Sequence, residues 1–386
     1  MKTNTQTAWR LVVGLGLVSL FADFTYEGGR SISGPFLAVL GAGPLLVGAV
    51  AGVGEFLGYL VRLFAGRWVD RSGQPWRLMY LGYALNLLSI PALALAPSAW
   101  GAALLLFLER LGKGLRTPAR DALLSHAGDH LGQGKVFGLH ELLDQSGAFL
   151  GPLLVALLVS LGGYRLGFAG LLVPALLALV FLLSARRLDG VARPSAPQDW
   201  ESLPRAYYAY LLFAMLTVAG FAHFQLVAYH LEATRAVPAA TIPLLFALAM
   251  GADALVAYGV GHLFDRLGLR LLWGVPVLSL AVAPLFFLGQ GLGVLVLAAL
   301  LWGSALGLQE SLMRTAVAVL SPQARRGSAY GLFDTAFGGA WMLGSLAMGF
   351  FYSLAPRHLV AFAVLLQIAA ALFLWRFYAT LKEVRA

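Results

Sequence analysis

The sequence predicts an all-α polytopic membrane protein, with twelve transmembrane helices arranged as two pseudo-symmetric six-helix bundles. Three observations indicate this fold class: a scarcity of charge, a series of long apolar runs and an internal repeat. Only 12% of the 386 residues are charged and the mean hydropathy is +0.80, whereas about 25% of residues are charged in soluble domains. The runs do not alternate apolar with polar residues, which argues against a membrane barrel of strands.

Twelve apolar runs are each long enough to cross roughly 30 Å of hydrocarbon as a helix. The predicted spans are 8–28, 44–66, 76–96, 99–120, 135–160, 164–186, 205–230, 239–263, 269–289, 292–315, 326–353 and 357–380. We expect the first run to remain as span 1, because no small-residue cleavage site follows it.

The basic residues predict the orientation. If the N-terminus is cytoplasmic, all of the 27 Lys and Arg residues lie on the cytoplasmic side except Arg30, Arg165, Arg235 and Arg357, as the positive-inside rule requires. We therefore expect a protein of the cytoplasmic (inner) membrane with both termini in the cytoplasm. The net charge of +9 is spread over six cytoplasmic segments, so no nucleic-acid partner is expected.

Two pairs of similar stretches indicate an internal duplication. "GRWVDRSGQPWRL" begins at Gly66 and "GHLFDRLGLRLLW" at Gly261, an offset of 195 residues. "GKVFGLHELLDQSGAFLGP" begins at Gly134 and "GSAYGLFDTAFGGAWMLGS" at Gly327, an offset of 193 residues. Since both offsets are close to half of the chain, the twelve spans divide into six plus six.

The duplication predicts three parts of the chain. They are an N-terminal six-helix bundle (1–186), a polar, Pro-rich cytoplasmic linker (187–204) and a C-terminal six-helix bundle (205–386). A linker of this composition is typical of a segment between two domains.

The Gly-x-x-x-Asp-Arg-x-Gly signature after span 2, its repeat after span 8 and the six-plus-six duplication resemble the major facilitator superfamily of secondary transporters. The resemblance covers the whole chain. It implies two bundles around a site at the middle of the membrane, which rock against each other to give alternating access.

By this resemblance, the two loop signatures form a conformational latch, in which Asp70 and Asp265 hold the cytoplasmic side closed in the outward-facing state. The alternative is a set of static loop charges that only set the topology. The predicted latch residues are Gly66, Asp70, Arg71, Gly73, Gly261, Asp265, Arg266 and Gly268.

Span 4 carries charges that are too deep for the headgroup region: Glu109, Arg110 and Lys113. A charge at that depth costs about 2.5–3.5 kcal/mol on insertion scales, so we expect each to face a partner or a wet cavity. The Arg-x-x-Lys-Gly run resembles the superfamily's span-4 motif, whose arginine is associated with proton coupling, although Lys113 replaces the more usual glutamine. Three further residues are interpreted as interfacial anchors and ion pairs: Arg116, Arg120 and Asp121.

The glycines of span 5 are similar to a motif of the exporter (antiporter) branch. The pattern consists of Gly138, Gly147, Gly151 and Pro152. Small residues let helices approach closely, and proline permits a bend. The trailing Gly-Gly of the full motif is absent, so close packing without any bearing on transport direction remains the alternative.

Carboxylates inside the spans are candidates for binding protons or substrate, because such groups can exchange protons near neutral pH. Asp23, Glu27 and Arg30 share one stripe of the outer half of span 1. The alternative to a binding role is that Arg30 lies at the external interface and only pairs with Glu27. The other candidates are Glu55 and Tyr59 in span 2, Asp144 in span 5, and His223, Asp253, Glu310 and Asp334 in the second half. The acids are concentrated in the first half, which favours proton coupling there.

These features predict a transporter that exports small amphipathic or cationic molecules in exchange for protons. One alternative is uptake by proton symport. The other is export of a divalent metal that Asp23, Glu27 or His223 binds transiently. The sequence contains no convincing pair of a nucleophile and a base, so we do not expect an enzyme. It also contains no Gly-x4-Gly-Lys-Ser/Thr motif, so we do not expect ATP as the energy source. We expect no cofactor or resident metal, H⁺ as the coupling ion, and a monomer working in the lipid bilayer on a small-molecule substrate.

Overall fold

The computed structural model describes residues 5–72, 74–187, 203–322 and 326–382, and the regular secondary structure of these residues is helical. The α-helices are α1 (Thr5–Val39), α2 (Pro44–Ser72), α3 (Pro75–Ala92), α4 (Ala99–Leu131), α5 (Gln133–Gly170), α6 (Leu172–Arg186), α7 (Arg205–Ala219), α8 (Phe224–Ala233), α9 (Thr241–Leu267), α10 (Gly274–Phe287), α11 (Leu292–Leu320), α12 (Arg326–Leu354) and α13 (Pro356–Lys382). Short 3₁₀ helices follow α3 and α9.

Ten helical segments in the described part of the chain are long and apolar enough to cross a membrane. One of them, Lys135–Arg186, is 52 residues long, and its backbone leaves the helical conformation at Gly162 and Gly163, so it supplies two spans. The 33-residue α4 corresponds to the charged span 4. Each of the twelve predicted spans therefore has a helical counterpart, and the chain is an integral membrane protein.

Helix α1 is longer than predicted, because it ends at Val39 and not near residue 28. The helix continues through the charged stripe, and the segment 31–37 beyond it is buried. Asp23 and Glu27 lie in the C-terminal half of this 35-residue helix, and their place in the outer half of span 1 stays a prediction. Their exposed fractions are only 8% and 7%.

Span 7 consists of two helices. α7 ends at Ala219 and α8 begins at Phe224. Between them the side chain of His223 accepts a hydrogen bond from the backbone N–H of Leu226 at 3.3 Å, which satisfies one of the free donors at the start of α8. The sequence-predicted candidate His223 is thus a helix cap in the structure.

The chain divides into two compact units. The first unit holds residues 1–41, 57–196 and 238–247, and the second unit holds residues 42–56, 197–237 and 248–386. Compared with the predicted bundles, the segment 42–56 belongs to the second unit and the segment 238–247 to the first. Of the predicted linker, 188–202 lie outside the described residues.

Packing of α2 against α12 explains why 42–56 belongs to the second unit. A Cβ atom added to Gly52 would lie 2.7 Å from the Ser345 Cβ and 3.0 Å from the Met342 carbonyl oxygen. A Cβ atom added to Gly349 would lie 2.8 Å from the Pro44 carbonyl oxygen. The two helices are therefore in backbone contact, which only small residues permit.

The two units repeat the same helix contacts at the offsets found in the sequence. In the first unit, Gly151 of α5 packs against the Phe24 carbonyl of α1 so closely that a Cβ atom would overlap it. In the second unit, Gly344 of α12 packs in the same way against the Ala219 carbonyl of α7. The glycines are 193 residues apart and their partners are 195 residues apart.

A second pair of contacts follows the same rule. A Cβ atom added to Gly114 of α4 would lie 2.7 Å from the Gly58 carbonyl oxygen of α2. A Cβ atom added to Gly307 of α11 would lie 2.6 Å from the Asp253 carbonyl oxygen of α9. The offsets are again 193 and 195 residues, so the repeat in the sequence is a repeat of helix packing.

Each unit has its own apolar core. In the first unit, Leu15 and Ala22 of α1 pack with residues of α3, α4 and α6. In the second unit, two fully buried tyrosines of α7 also make polar contacts: Tyr207 donates to the Ala329 carbonyl at 2.6 Å, and Tyr210 donates to the Met313 carbonyl at 2.7 Å. These bonds satisfy the hydroxyls that burial would otherwise leave unpaired.

We expect Gly151→Ala to destabilise the protein, because the added methyl group overlaps the backbone of α1 at Phe24. Overpacking of this kind typically costs about 1–3 kcal/mol. Thermal unfolding of the purified protein in detergent measures the change. Gly138→Ala is the matched control on the same helix, since no atom lies within 4 Å of its added Cβ. Equal melting temperatures of the two variants would contradict the prediction.

Candidate functional site

Several charged residues of the first unit meet where α1, α4 and α5 pack together. We define this charged cluster by its members: Asp23, Tyr26, Glu27 and Arg30 of α1, Glu109, Arg110, Lys113, Arg116 and Arg120 of α4, and Asp144 of α5. All were sequence-predicted site residues except Tyr26, Arg116 and Arg120.

Asp23 forms an ion pair with Arg116. The Arg116 Nη2 lies 3.5 Å from the Asp23 Oδ1, and the two side chains are 1% and 11% exposed. The same guanidinium donates to the Tyr83 hydroxyl at 3.2 Å and lies 4.5 Å over the Tyr83 ring. Arg116 is therefore a buried ion-pair partner of Asp23.

Asp144 is bound from α1 and α4. The Ser19 hydroxyl donates to the Asp144 Oδ1, and Arg120 donates to the Ser19 oxygen at 3.3 Å. Arg120 also forms the predicted ion pair with Asp121 at 2.9 Å, at the partly exposed edge of the cluster. Ser19 lies one turn before Asp23 on the same stripe of α1.

Asp23 and Asp144 lie on the facing sides of α1 and α5, since Ser19, one turn before Asp23, donates to Asp144. Their proximity follows from the helix packing, because Gly147 and Gly151 bring the backbone of α5 against α1 at Leu20 and Phe24. The glycines that the sequence assigned to an exporter-like motif thus place Asp144 beside the acidic stripe of α1. Gly138 makes no such contact, and Pro152 is buried within α5.

The Tyr26 ring is surrounded by cations. Arg110 donates to its hydroxyl, and the guanidinium carbon lies 5.0 Å from the ring centroid. The Lys113 Nζ lies 3.7 Å from that centroid and the Arg30 guanidinium 6.0 Å from it. A negatively polarised ring face attracts such cations, so Tyr26 holds three side chains from two helices together.

Two more carboxylates complete the charged cluster. Glu27 accepts from Arg30 at 3.4 Å, so the predicted pair exists, but within the helix bundle. Its other oxygen, Oε2, is buried without a hydrogen-bond partner in the described part of the chain. Glu109 accepts from the Asn86 amide at 2.7 Å and pairs with Arg110 at 3.4 Å.

Close packing of α3 against α4 presents Tyr83 and Asn86 to the charged cluster. A Cβ atom added to Gly82 would lie 2.7 Å from the Arg116 backbone nitrogen, and one added to Gly112 would lie 2.7 Å from the Gly82 carbonyl oxygen. Sequence reasoning missed Tyr83 and Asn86, because neither is charged. Their i, i+3 spacing in an apolar span was the available signal.

The structure does not gather the other predicted residues into this cluster. In α2, Tyr59 stacks under Arg62 at 5.0 Å within the first unit, whereas Glu55 is partly exposed in the second. Among the second-unit candidates, Asp253 is 2% exposed beside Gly307, Glu310 is exposed and Asp334 is partly exposed.

The predicted latch stays a prediction. Arg71 and Arg266 are exposed and Gly66 is partly exposed. Gly268 is buried at the end of α9 with a φ of 57°, a conformation that glycine adopts without strain. The decisive members lie outside what the structure describes: Gly73, the burial of Gly261, and the side chains of Asp70 and Asp265.

Metal ligands are not grouped in the described residues, where no set of three His, Asp or Glu side chains could hold an ion. His230 instead shares a hydrogen bond of 2.7 Å with the Tyr352 hydroxyl and packs on the Phe287 ring.

Comparison with known proteins identifies the family. The model of the Major Facilitator Superfamily matches residues 19–345. The chain belongs to this superfamily. Solved structures agree with the fold: the nucleoside transporter NupG aligns with a TM-score of 0.73 at 15% identity, covering 96% of this chain and 99% of that one. The peptide transporter POT in complex with sulfate gives a TM-score of 0.73 at 16% identity, covering 97% and 95%.

Relatives within the superfamily are similar over different lengths. An uncharacterized protein of Mycobacterium tuberculosis is 39% identical over 96% of this chain and 93% of its own length. An uncharacterized MFS-type transporter of Methanocaldococcus jannaschii is 26% identical over 93% of both. The multidrug resistance protein MdtH of Photorhabdus laumondii is 27% identical over 67% of this chain and 66% of its own.

A double-mutant cycle tests the ion pair between Asp23 and Arg116. We expect Asp23→Asn and Arg116→Met each to lower the free energy of unfolding, by about 3–5 kcal/mol where one buried charge loses its partner. The double variant leaves no unpaired charge, so its loss should be smaller than the sum of the two. Thermal or denaturant unfolding in detergent gives the four values. Additive losses would argue against the pair.

Proposed function

We propose that the chain is a proton-coupled secondary active transporter in which Asp23 and Asp144 carry the proton. The observation that supports this role is the position of the two residues on the facing sides of α1 and α5, where Ser19, one turn before Asp23, donates to Asp144. Two carboxylates close together disfavour the doubly ionised state, so such a pair can hold one shared proton. A charged group at this depth is costly, which is a reason to expect a role beyond packing.

Binding of the proton would change the helix contacts. Asp23 pairs with Arg116 of α4, and Asp144 is bound by Ser19 of α1, so the ionised pair helps to hold α1, α4 and α5 together. A proton on the pair weakens its attraction for Arg116 and Arg120. Coupling then consists of a local change of charge that shifts the equilibrium between two packing arrangements of these helices.

For the direction we propose export in exchange for protons, with small amphipathic or cationic compounds as substrates. Two observations support it: the exporter-like glycines of α5 and the similarity to a relative named a multidrug resistance protein. The close packing that Gly147 and Gly151 provide is compatible with either direction, however. We further propose the cytoplasmic membrane as the location, with both termini cytoplasmic and a monomer as the functional unit.

Uptake by proton symport is a second candidate, because a specific observation favours it. Lys113 lies in the charged cluster but forms no ion pair in the described part of the chain. A cluster with a spare cation attracts anions, and a proton bound nearby strengthens that attraction. An anion and a proton would then move together. Export of a divalent metal has no comparable support.

Transport assays in liposomes that contain a pH-sensitive dye test the proposal. Panels of cationic drugs, organic anions, sugars and divalent metals are added outside. We expect substrate-dependent proton movement for the wild type and its loss in Asp144→Asn, which cannot ionise. Opposite movement of substrate and protons indicates antiport, and movement in the same direction indicates symport.

The matched control is Glu141→Gln. Glu141 lies three residues before Asp144 on α5, but it is exposed and accepts a hydrogen bond from the neighbouring Gln145. We expect its proton coupling to equal that of the wild type. Coupled transport by Asp144→Asn at the wild-type rate would refute the role of the pair, and equal losses in both variants would indicate a general effect of removing a carboxylate.

A further inference from the structure

Four of the five cations in the charged cluster form ion pairs, and Lys113 is the fifth. Each of the four arginines has a carboxylate oxygen within 3.5 Å: Arg30 with Glu27, Arg110 with Glu109, Arg116 with Asp23, and Arg120 with Asp121. Lys113 has no carboxylate at such a distance in the part of the chain that the structure describes. Asp121 is 43% exposed, so its charge is largely screened by solvent.

The ammonium of Lys113 rests on a ring face. It lies 3.7 Å from the Tyr26 centroid, and its hydrogen-bonding groups find no acceptor among the described residues. An ammonium has three donors, and burying them without acceptors is costly. The side chain is partly exposed, so an acceptor can reach it from outside the protein.

We infer that Lys113 is the anchor for the carboxylate of an organic anion that the protein transports. The inference rests on the second candidate function, proton symport, and replaces the cationic substrates of the first candidate with anionic ones. An anion is favoured because Lys113 has no carboxylate within ion-pair distance in the described part of the chain, whereas each arginine of the cluster has one.

The position of Lys113 also favours a short, charge-assisted contact. Arg110 and Arg30 share the Tyr26 ring with Lys113, and both are held by carboxylates. The lysine is therefore the cation that can turn to a ligand without breaking an ion pair. Ammonium–carboxylate hydrogen bonds are stronger than neutral ones, so a single residue can dominate the affinity for the charged group.

This anchor determines the sign of coupling. A proton on the Asp23–Asp144 pair removes a negative charge close to Lys113, since Asp23 acts electrostatically on that lysine. The proton and the carboxylate therefore favour each other's binding, as linkage requires. A carrier of this kind moves both in the same direction, which is the second candidate function.

Binding of a matched series of probes to the purified protein in detergent tests the anchor without any gradient. The probes are benzoate, benzamide, benzylammonium and phenyl phosphate, which share one ring and differ in charge. Each is titrated at constant ionic strength against chloride, and the rise in melting temperature gives its apparent affinity. We expect benzoate to stabilise the wild type, and benzamide and benzylammonium to have no effect.

Variants identify the residue. Lys113→Met should weaken benzoate binding by about tenfold or more, and Lys113→Arg should restore part of it. Lys135→Met, which removes an exposed lysine of α5, is the matched control and should bind benzoate as the wild type does. Glu27→Gln removes a negative charge that acts on Lys113 and should raise the affinity.

Four outcomes would overturn the inference: no stabilisation by benzoate, equal stabilisation of wild type and Lys113→Met, stabilisation by benzylammonium, or stabilisation by phenyl phosphate alone. The last would make the anchor a phosphate site. Failure of the proposed function gives a different result. Asp144→Asn should lose proton coupling in liposomes yet keep benzoate binding in detergent, whereas Lys113→Met should lose benzoate binding.

Discussion

Direct backbone contact between α1 and α5 is the constraint on which the charged cluster depends. Packed helices usually lie 8–10 Å apart, and small residues at the contact let them approach more closely. Gly147 and Gly151 remove the side chains that would keep α5 from α1. The bond from Ser19 to Asp144 follows from this approach. Gly82 and Gly112 do the same between α3 and α4, where they bring Tyr83 to Arg116.

The second unit keeps this packing and lacks this chemistry. Applying the repeat offsets of 195 and 193 residues, we find apolar or neutral side chains where the first unit has charges. Asp23, Tyr26, Glu109, Arg116 and Asp144 correspond to Val218, Phe221, Trp302, Gln309 and Phe337. Phe221 and Trp302 stack at 5.5 Å, so a ring pair stands where the first unit has Tyr26 and Glu109. Duplication thus supplied two similar bundles, of which one became ionic inside and the other aromatic.

The fold could be predicted from the sequence because its signals are local. Apolar runs report membrane spans, and similar stretches at two offsets report the duplication. The acids of span 1 and Asp144 were also evident, since a charge in an apolar run stands out. The end of α1 was misplaced for the same reason, because the charges of Asp23, Glu27 and Arg30 suggested a membrane surface.

The partners within the cluster could not be predicted, because they depend on which helices touch. The position of Arg116 in the sequence, further along α4 than Lys113, suggests a residue at the membrane interface. In the structure α1 and α3 pack against it, and it is a buried ion-pair partner. Tyr83, Asn86 and Ser19 are neutral residues of ordinary spans. Their contacts depend on glycines that bring α5 close to α1 and α3 close to α4. The sequence alone does not show which helices are in contact.

The interruption between α7 and α8 gives the two units different mechanics. By the offset of 195 residues, the break at 220–223 corresponds to 25–28, where α1 is continuous. A continuous helix behaves as a stiff rod, and a displacement at one end is transmitted along its full length. A helix interrupted at a glycine has lost backbone hydrogen bonds at the joint, and its two parts can tilt separately. The first unit therefore contains one continuous helix, α1, where the second unit has the two shorter helices α7 and α8.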